Sequence, residues 1–152
     1  MAVMIEAEFA PAAEPDDPRR VLREDLLAQI GGILAHLRRL YATAAPRADG
    51  PLREAFAELA ARKAAQASAL AAAGGPPGRD AEVPPAAGPP GTGVRWGLVL
   101  GEAFRGERAL ELAARQLGAF SPAPTLQALA RSLAEGAARD LGAVRKLYLR
   151  YS

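Results

Sequence analysis

"GGPPGRDAEVPPAAGPPGTG", residues 74–93, decides the fold. Twelve of these twenty residues are Gly or Pro. Proline lacks the amide that a helix or a central strand needs, and glycine weakens both. The stretch is therefore a connection, and its length is the informative quantity. Consecutive helices that run antiparallel need only a few residues between them. A chain that must return to the starting end before its next helix needs a full helix length of connection. Twenty extended residues reach about 60 Å, and a helix of about 24 residues is about 36 Å long.

Helical patterns lie on both sides of that connection. Asp16 or Asp17 caps a first helix and Pro18 suits its first turn. Leu22, Leu26, Ile30, Ile33, Leu37 and Leu40 follow at steps of three and four, giving one apolar face over about 18–44. After the turn "PRADGP", Leu52, Phe56, Leu59 and Leu70 mark a second helix over about 51–73. Trp96, Leu100, Ala103, Leu110, Ala114 and Leu117 mark a third over about 94–118, with Trp96 anchoring its start. After "GAFSPAPT", Leu126, Leu129, Leu133, Val144 and Leu147 mark a fourth over about 124–150. The short turns make two antiparallel hairpins. The expected fold is all-α: a four-helix bundle over 18–152 with one long crossover between helices 2 and 3, preceded by a loose arm over 1–17. Two detached hairpins on a disordered linker would each leave a wide apolar face in water.

The two hairpins also resemble each other. "LREAFAELAARKAAQASAL" and "LQALARSLAEGAARDLGAV" align without gaps at an offset of 74 residues. Leu52 then meets Leu126, Leu59 meets Leu133, Ala60 meets Ala134 and Leu70 meets Val144.

These segments resemble the second and fourth helices of the ferritin-like superfamily, nearest its rubrerythrin-like branch, of the type L-x-x-L-A-x-x-E-x-x-H-x-x-x-L. The resemblance implies the one-crossover bundle. In that family a Glu from each of two helices and a Glu-x-x-His from each of the others hold two irons. Carried over position by position, the ligands are degenerate. Lys63 and Gln66 stand at the Glu and His positions of the second helix, and Ala137 and Asp140 at those of the fourth. The lone Glu positions fall near Ile30 and near Phe104 to Glu107. The resemblance thus implies the fold and speaks against the family's oxygen chemistry. Weak metal candidates are Glu107, Asp140, Gln66 and His36.

The residues also speak without the family. Steps of four and three from Leu59 land on Lys63, Gln66 and Leu70. The fourth helix passes from Leu133 through Ala137 to Asp140 and Val144, and the third from Ala103 through Glu107 to Leu110. Polar residues therefore interrupt three apolar faces at mid-length. Buried charges are normally paired, so Lys63, Gln66, Glu107 and Asp140 are expected to form one buried polar cluster where a metal would otherwise sit. The competing expectation takes Lys63 to the rim, where its stem packs and its ammonium reaches water. Gly31 and Gly32, at mid-helix, suggest close approach of a neighbouring helix in the bundle or across a dimer interface, with room for a ligand as the alternative. His36 reads as a flank residue.

Composition removes other classes. The chain of 152 residues has no cysteine and one histidine, so disulfides, thiolate metal sites and a multi-histidine site are excluded. Its net charge of +2 comes from 19 basic and 17 acidic residues interspersed, which describes a solvated surface rather than a nucleic-acid face. No apolar run approaches the roughly 20 residues that span a bilayer, and the acidic start lacks signal-peptide form. "GPPGTG" lacks the lysine of a P-loop. The expectation is a cytoplasmic homodimer without a resident cofactor, acting as a binding or structural module. Two alternatives stand beside it. One is iron or manganese binding, or peroxide and oxygen chemistry, through a reduced carboxylate site. The other is an amphipathic surface-binding protein of the phasin kind. The basic, aromatic end "VRKLYLRYS" is a docking surface or a helix end that covers the core.

Overall fold

The computed structural model describes residues 17–76 and 93–152. Four long helices account for almost all of them: α1 (Pro18–Ala44), α2 (Gly50–Ala72), α3 (Trp96–Phe120) and α4 (Pro124–Tyr151). A single 3-10 turn, Ala45–Arg47, follows α1. The arm over 1–16 and residues 77–92 of the Pro/Gly connection lie outside the described residues.

Local chemistry sets the helix ends. Asp17, the sequence's capping candidate, accepts a bond from the Arg19 amide at 3.0 Å. Pro18, Pro51 and Pro124 occupy first-turn positions of α1, α2 and α4, where a missing amide costs nothing. α2 ends in a Schellman motif. Gly74 has φ +87°, its amide donates to Ala71 O at 3.0 Å, and the Gly75 amide donates to Leu70 O at 2.9 Å. α3 starts and ends two residues later than the apolar pattern places it. Its stop comes from Pro122, which favours extended backbone at the preceding Ser121, where ψ is 121°.

Side-chain meetings fix the direction of each helix. Tyr41, late in α1, stacks on Phe56, early in α2, at 6.1 Å, so these two run antiparallel. Arg62 and Lys63 of α2 meet Asp140 of α4, while Gln66 lies against Gly136. Later in α2 thus pairs with earlier in α4. Gly97 at the start of α3 lies beside Ser152 just past the end of α4, and Gly118 near the end of α3 faces Ala130. Phe56 and Trp96, each near the start of its helix, have ring centroids 5.5 Å apart. α2 and α3 therefore start at the same end and run parallel. A helix of 23 residues is about 35 Å long, so the chain between Ala72 and Trp96 must travel the length of the bundle. α1 packs on α2 and α3, and α4 packs on α3 and more sparingly on α2. α2 and α3 occupy one diagonal.

The core is aliphatic. Ile30, Leu34, Leu37, Leu40, Leu59, Leu100, Leu110, Leu117 and Leu133 are all essentially inaccessible, as are the rings of Tyr41 and Phe56. Three of the four pairs aligned at an offset of 74 share their depth: Leu59 with Leu133 and Leu70 with Val144 are buried, and Ala60 with Ala134 are half-buried, whereas Leu52 is buried and Leu126 only partly so. Leu22 departs from the expected stripe and is exposed. α1 instead buries Leu26, Ile30, Leu34, Leu37 and Tyr41.

Of the two glycines expected to mark a close approach, Gly31 is buried and Gly32 is not closely approached. A Cβ built on Gly32 would meet nothing within 4 Å. One built on Gly106 of α3 would lie 2.5 Å from Leu37 Cδ2, inside the van der Waals limit of a fully buried side chain. Gly106→Val is expected to lower unfolding stability by about 1–3 kcal/mol through overpacking, measured by urea denaturation. An unchanged midpoint would mean that α1 and α3 sit further apart than this.

Candidate functional site

Where three apolar stripes are interrupted, the bundle brings the interrupting residues together. Lys63, Glu107 and Asp140 are each 0% exposed. Lys63 Nζ donates to Glu107 Oε1 at 2.5 Å and to Gln66 Oε1 at 2.9 Å. It also lies 3.0 Å from Asp140 Oδ2. That last contact is an ion pair rather than a hydrogen bond, since Asp140 Oδ2 is buried without a hydrogen-bond donor aimed at it. Coulomb attraction tolerates poor alignment better than a hydrogen bond does. The rim position for Lys63 is thereby corrected: the helix is rotated so that the ammonium lies inside, and nothing remains to snorkel.

Two residues that the apolar pattern did not mark complete the cluster. Tyr41 of α1 donates its hydroxyl to Glu107 Oε2 at 2.6 Å. Arg62 of α2 donates Nε to Asp140 Oδ1 at 2.7 Å, its guanidinium partly exposed and also 3.7 Å from Glu58. Tyr41 was hidden because an aromatic at a core position of a helix needs no polar reason. Arg62 was hidden because it is one residue off the stripe and reads as solvated surface. A signal existed for Arg62: Asp140 and Glu107 are two carboxylates, and Lys63 alone leaves the cluster one positive charge short.

Two cations and two anions make the cluster formally neutral. Burial raises the Glu107 carboxyl above its ordinary range, and the charge of Asp140 adds to this. Lys63, by charge and hydrogen bond, and the Tyr41 hydroxyl pull the other way without cancelling it. Burial pushes the Tyr41 phenol well above its ordinary range, with the Glu107 charge adding to the rise, so Tyr41 stays protonated and remains a donor.

His36 stands apart from the cluster. Its Nε2 lies 3.3 Å from Glu102 Oε1 on the seam between α1 and α3, half-buried, where Arg105 also binds Glu102 at 2.8 Å. The Arg105 hydrogen bond, with smaller help from His36, holds Glu102 below the ordinary carboxylate range against the opposing effect of burial. The weak metal candidates are therefore divided: Gln66, Glu107 and Asp140 meet at Lys63, and His36 does not reach them. Among the described residues, no group of three or more His, Cys, Asp or Glu side chains is placed to hold a metal ion. No helix among them is long and apolar enough to cross a membrane.

Comparison with known protein families, with curated proteins and with solved structures gave no significant match.

Two outcomes follow from the cluster. Lys63→Met keeps the stem and removes the charge, leaving Glu107 without a cation. It is expected to cost about 3–5 kcal/mol, with part recovered by adding Glu107→Gln and Asp140→Asn. A loss under about 1 kcal/mol by urea denaturation would mean that the ammonium is solvated. The second outcome concerns pH. The native Glu107 holds a proton more tightly than the unfolded chain, whose carboxyl titrates near 4.5. Its contribution is thus most favourable below that value and is lost as pH rises through the native one. The thermal midpoint of the native sequence minus that of Glu107→Gln should fall as pH rises across this window. A rising difference contradicts the assignment.

Proposed function

We propose that the chain is a ferritin-like bundle of the rubrerythrin kind in which an internal ion-pair network stands in place of the di-iron centre, and that it serves as a non-catalytic binding or structural module. The observation that carries this reading is the ammonium of Lys63, 2.5 Å from Glu107 Oε1 and 3.0 Å from Asp140 Oδ2 at mid-bundle. It occupies the point on which the available oxygen donors converge.

The donor set does not fit a di-iron site. Such a site takes carboxylates and imidazoles from all four helices. Here two carboxylates converge, each already paired with a cation, and the Gln66 oxygen already accepts from Lys63. A divalent ion placed among them would face two positive charges at close range. For the same reason the reduced carboxylate site, as a place for iron or manganese or for peroxide chemistry, is the weaker reading.

A cytoplasmic homodimer belongs to the same proposal. Gly32 supports the dimer: it is a mid-helix glycine with open space above it, and it matches no close neighbour in its own chain.

Protein purified from cells grown with added iron and manganese tests both parts together. Elemental analysis after dialysis is expected to find far less than one metal per chain, and light scattering to give twice the mass of one chain. One retained metal per chain overturns the metal-free reading, and a monomeric mass overturns the dimer.

A further inference from the structure

The outer face of α4 changes character over its C-terminal half. From Ala138 onward, Arg139, Arg145, Lys146 and Arg150 are exposed, while the one acid of that stretch, Asp140, is buried in the ion-pair network. Elsewhere on the bundle, exposed arginines find acids one turn away, as Arg20 does with Glu24 and Arg115 with Glu111. Among the described residues, no carboxylate pairs with Arg139, Arg145 or Lys146. Amid these cations stands Leu149, the most exposed large apolar side chain of the described residues at 75%. It follows Arg145 by four residues and Lys146 by three, so the two cations flank it from the preceding turn. Two turns before Leu149, Gly142 leaves open space where a side chain would stand, so the face is low there. Towards α3, Tyr148 is also exposed, and with Leu149 and Phe104 it lines a largely apolar cleft of about 390 Å3.

A cation in the last turn complements the helix dipole, which accounts for Arg150. The dipole does not reach Arg139, about three turns earlier, and it gives no reason for a leucine in water. Unpaired cations around an exposed leucine on a low helix face suit an anionic bilayer. The apolar side chain enters the boundary between headgroups and acyl chains, and the cations meet the anionic headgroups. A nucleic acid would offer the cations phosphates but give Leu149 no acyl layer to enter.

We propose that the outer face of α4 from Arg139 to Arg150 docks on an anionic lipid bilayer, lying on its surface without crossing it. Leu149 and Tyr148 enter the acyl boundary, and Arg139, Arg145 and Lys146 face the headgroups. The docking gives the binding module a partner and depends on neither the ferritin-like assignment nor the dimer.

Flotation of the full chain with lipid vesicles tests this. The protein is expected to float with an equal mixture of phosphatidylserine and phosphatidylcholine, to stay behind with phosphatidylcholine alone, and to be released by high salt. Arg145→Gln and Lys146→Gln should each weaken binding about fivefold, and Leu149→Gln about tenfold. Circular dichroism should be unchanged in all three, since the side chains are exposed. No flotation, equal flotation with both kinds of vesicle, or undiminished binding by the Arg145 and Leu149 variants overturns the proposal. Binding that the cation variants lose and Leu149→Gln keeps also overturns it, and marks a general polyanion patch instead.

Discussion

The Lys63 ammonium, enclosed between Glu107 and Asp140, is the constraint that the rest of the bundle satisfies. It belongs to α2, its first carboxylate to α3 and its second to α4, while Tyr41 of α1 closes on Glu107 from the fourth side. α2 and α3 lie on a diagonal with little direct packing. The Lys63–Glu107 ion pair and the Phe56–Trp96 ring contact link the two across that diagonal. A shift of one turn along α2, α3 or α4, about 5.4 Å, would leave at least one charge buried and alone. An apolar core of Leu and Ala accepts many registers at similar cost, whereas this network accepts one. Desolvation offsets most of the Coulombic gain in such a cluster. Its effect is therefore on which packing is chosen more than on total stability.

The crossover has the same consequence in another form. Parallel α2 and α3 bring Phe56 beside Trp96 because the Pro/Gly stretch returns the chain to the end at which α2 starts. Joined by a tight turn, the two helices would run antiparallel. Lys63, in the middle of α2, and Glu107, also central in α3, could then still share a level, but Phe56 and Trp96 would stand at opposite ends. The ring contact distinguishes the two arrangements; the ion pair alone does not.

Much of this was legible in the sequence, for a physical reason. Periodicity reports which face is dry, so a lysine on the line through Leu59 and Leu70 is conspicuous, and so are Glu107 between Ala103 and Leu110 and Asp140 between Leu133 and Val144. Tyr41 and Arg62 were not legible in this way. An amphipathic side chain buries its body and uses its tip, and only coordinates say where the tip goes. Leu22 misled for the opposite reason: it continues the helical repeat yet is left exposed. The glycines were the least legible. Gly31 and Gly32 drew notice as a pair, yet Gly32 faces open space while Gly106 and Gly136, which drew none, lie tight against Leu37 and Gln66, because a close contact depends on the facing side chain.

The most direct examination of the central claim is 15N NMR of the lysine side chains. An ammonium enclosed by Glu107, Asp140 and Gln66 should give a resolved Lys63 Nζ signal with slow proton exchange and cross-relaxation to the Tyr41 ring. A Lys63 signal lost to rapid exchange with water, or one with the shift of a neutral amine, would contradict the account.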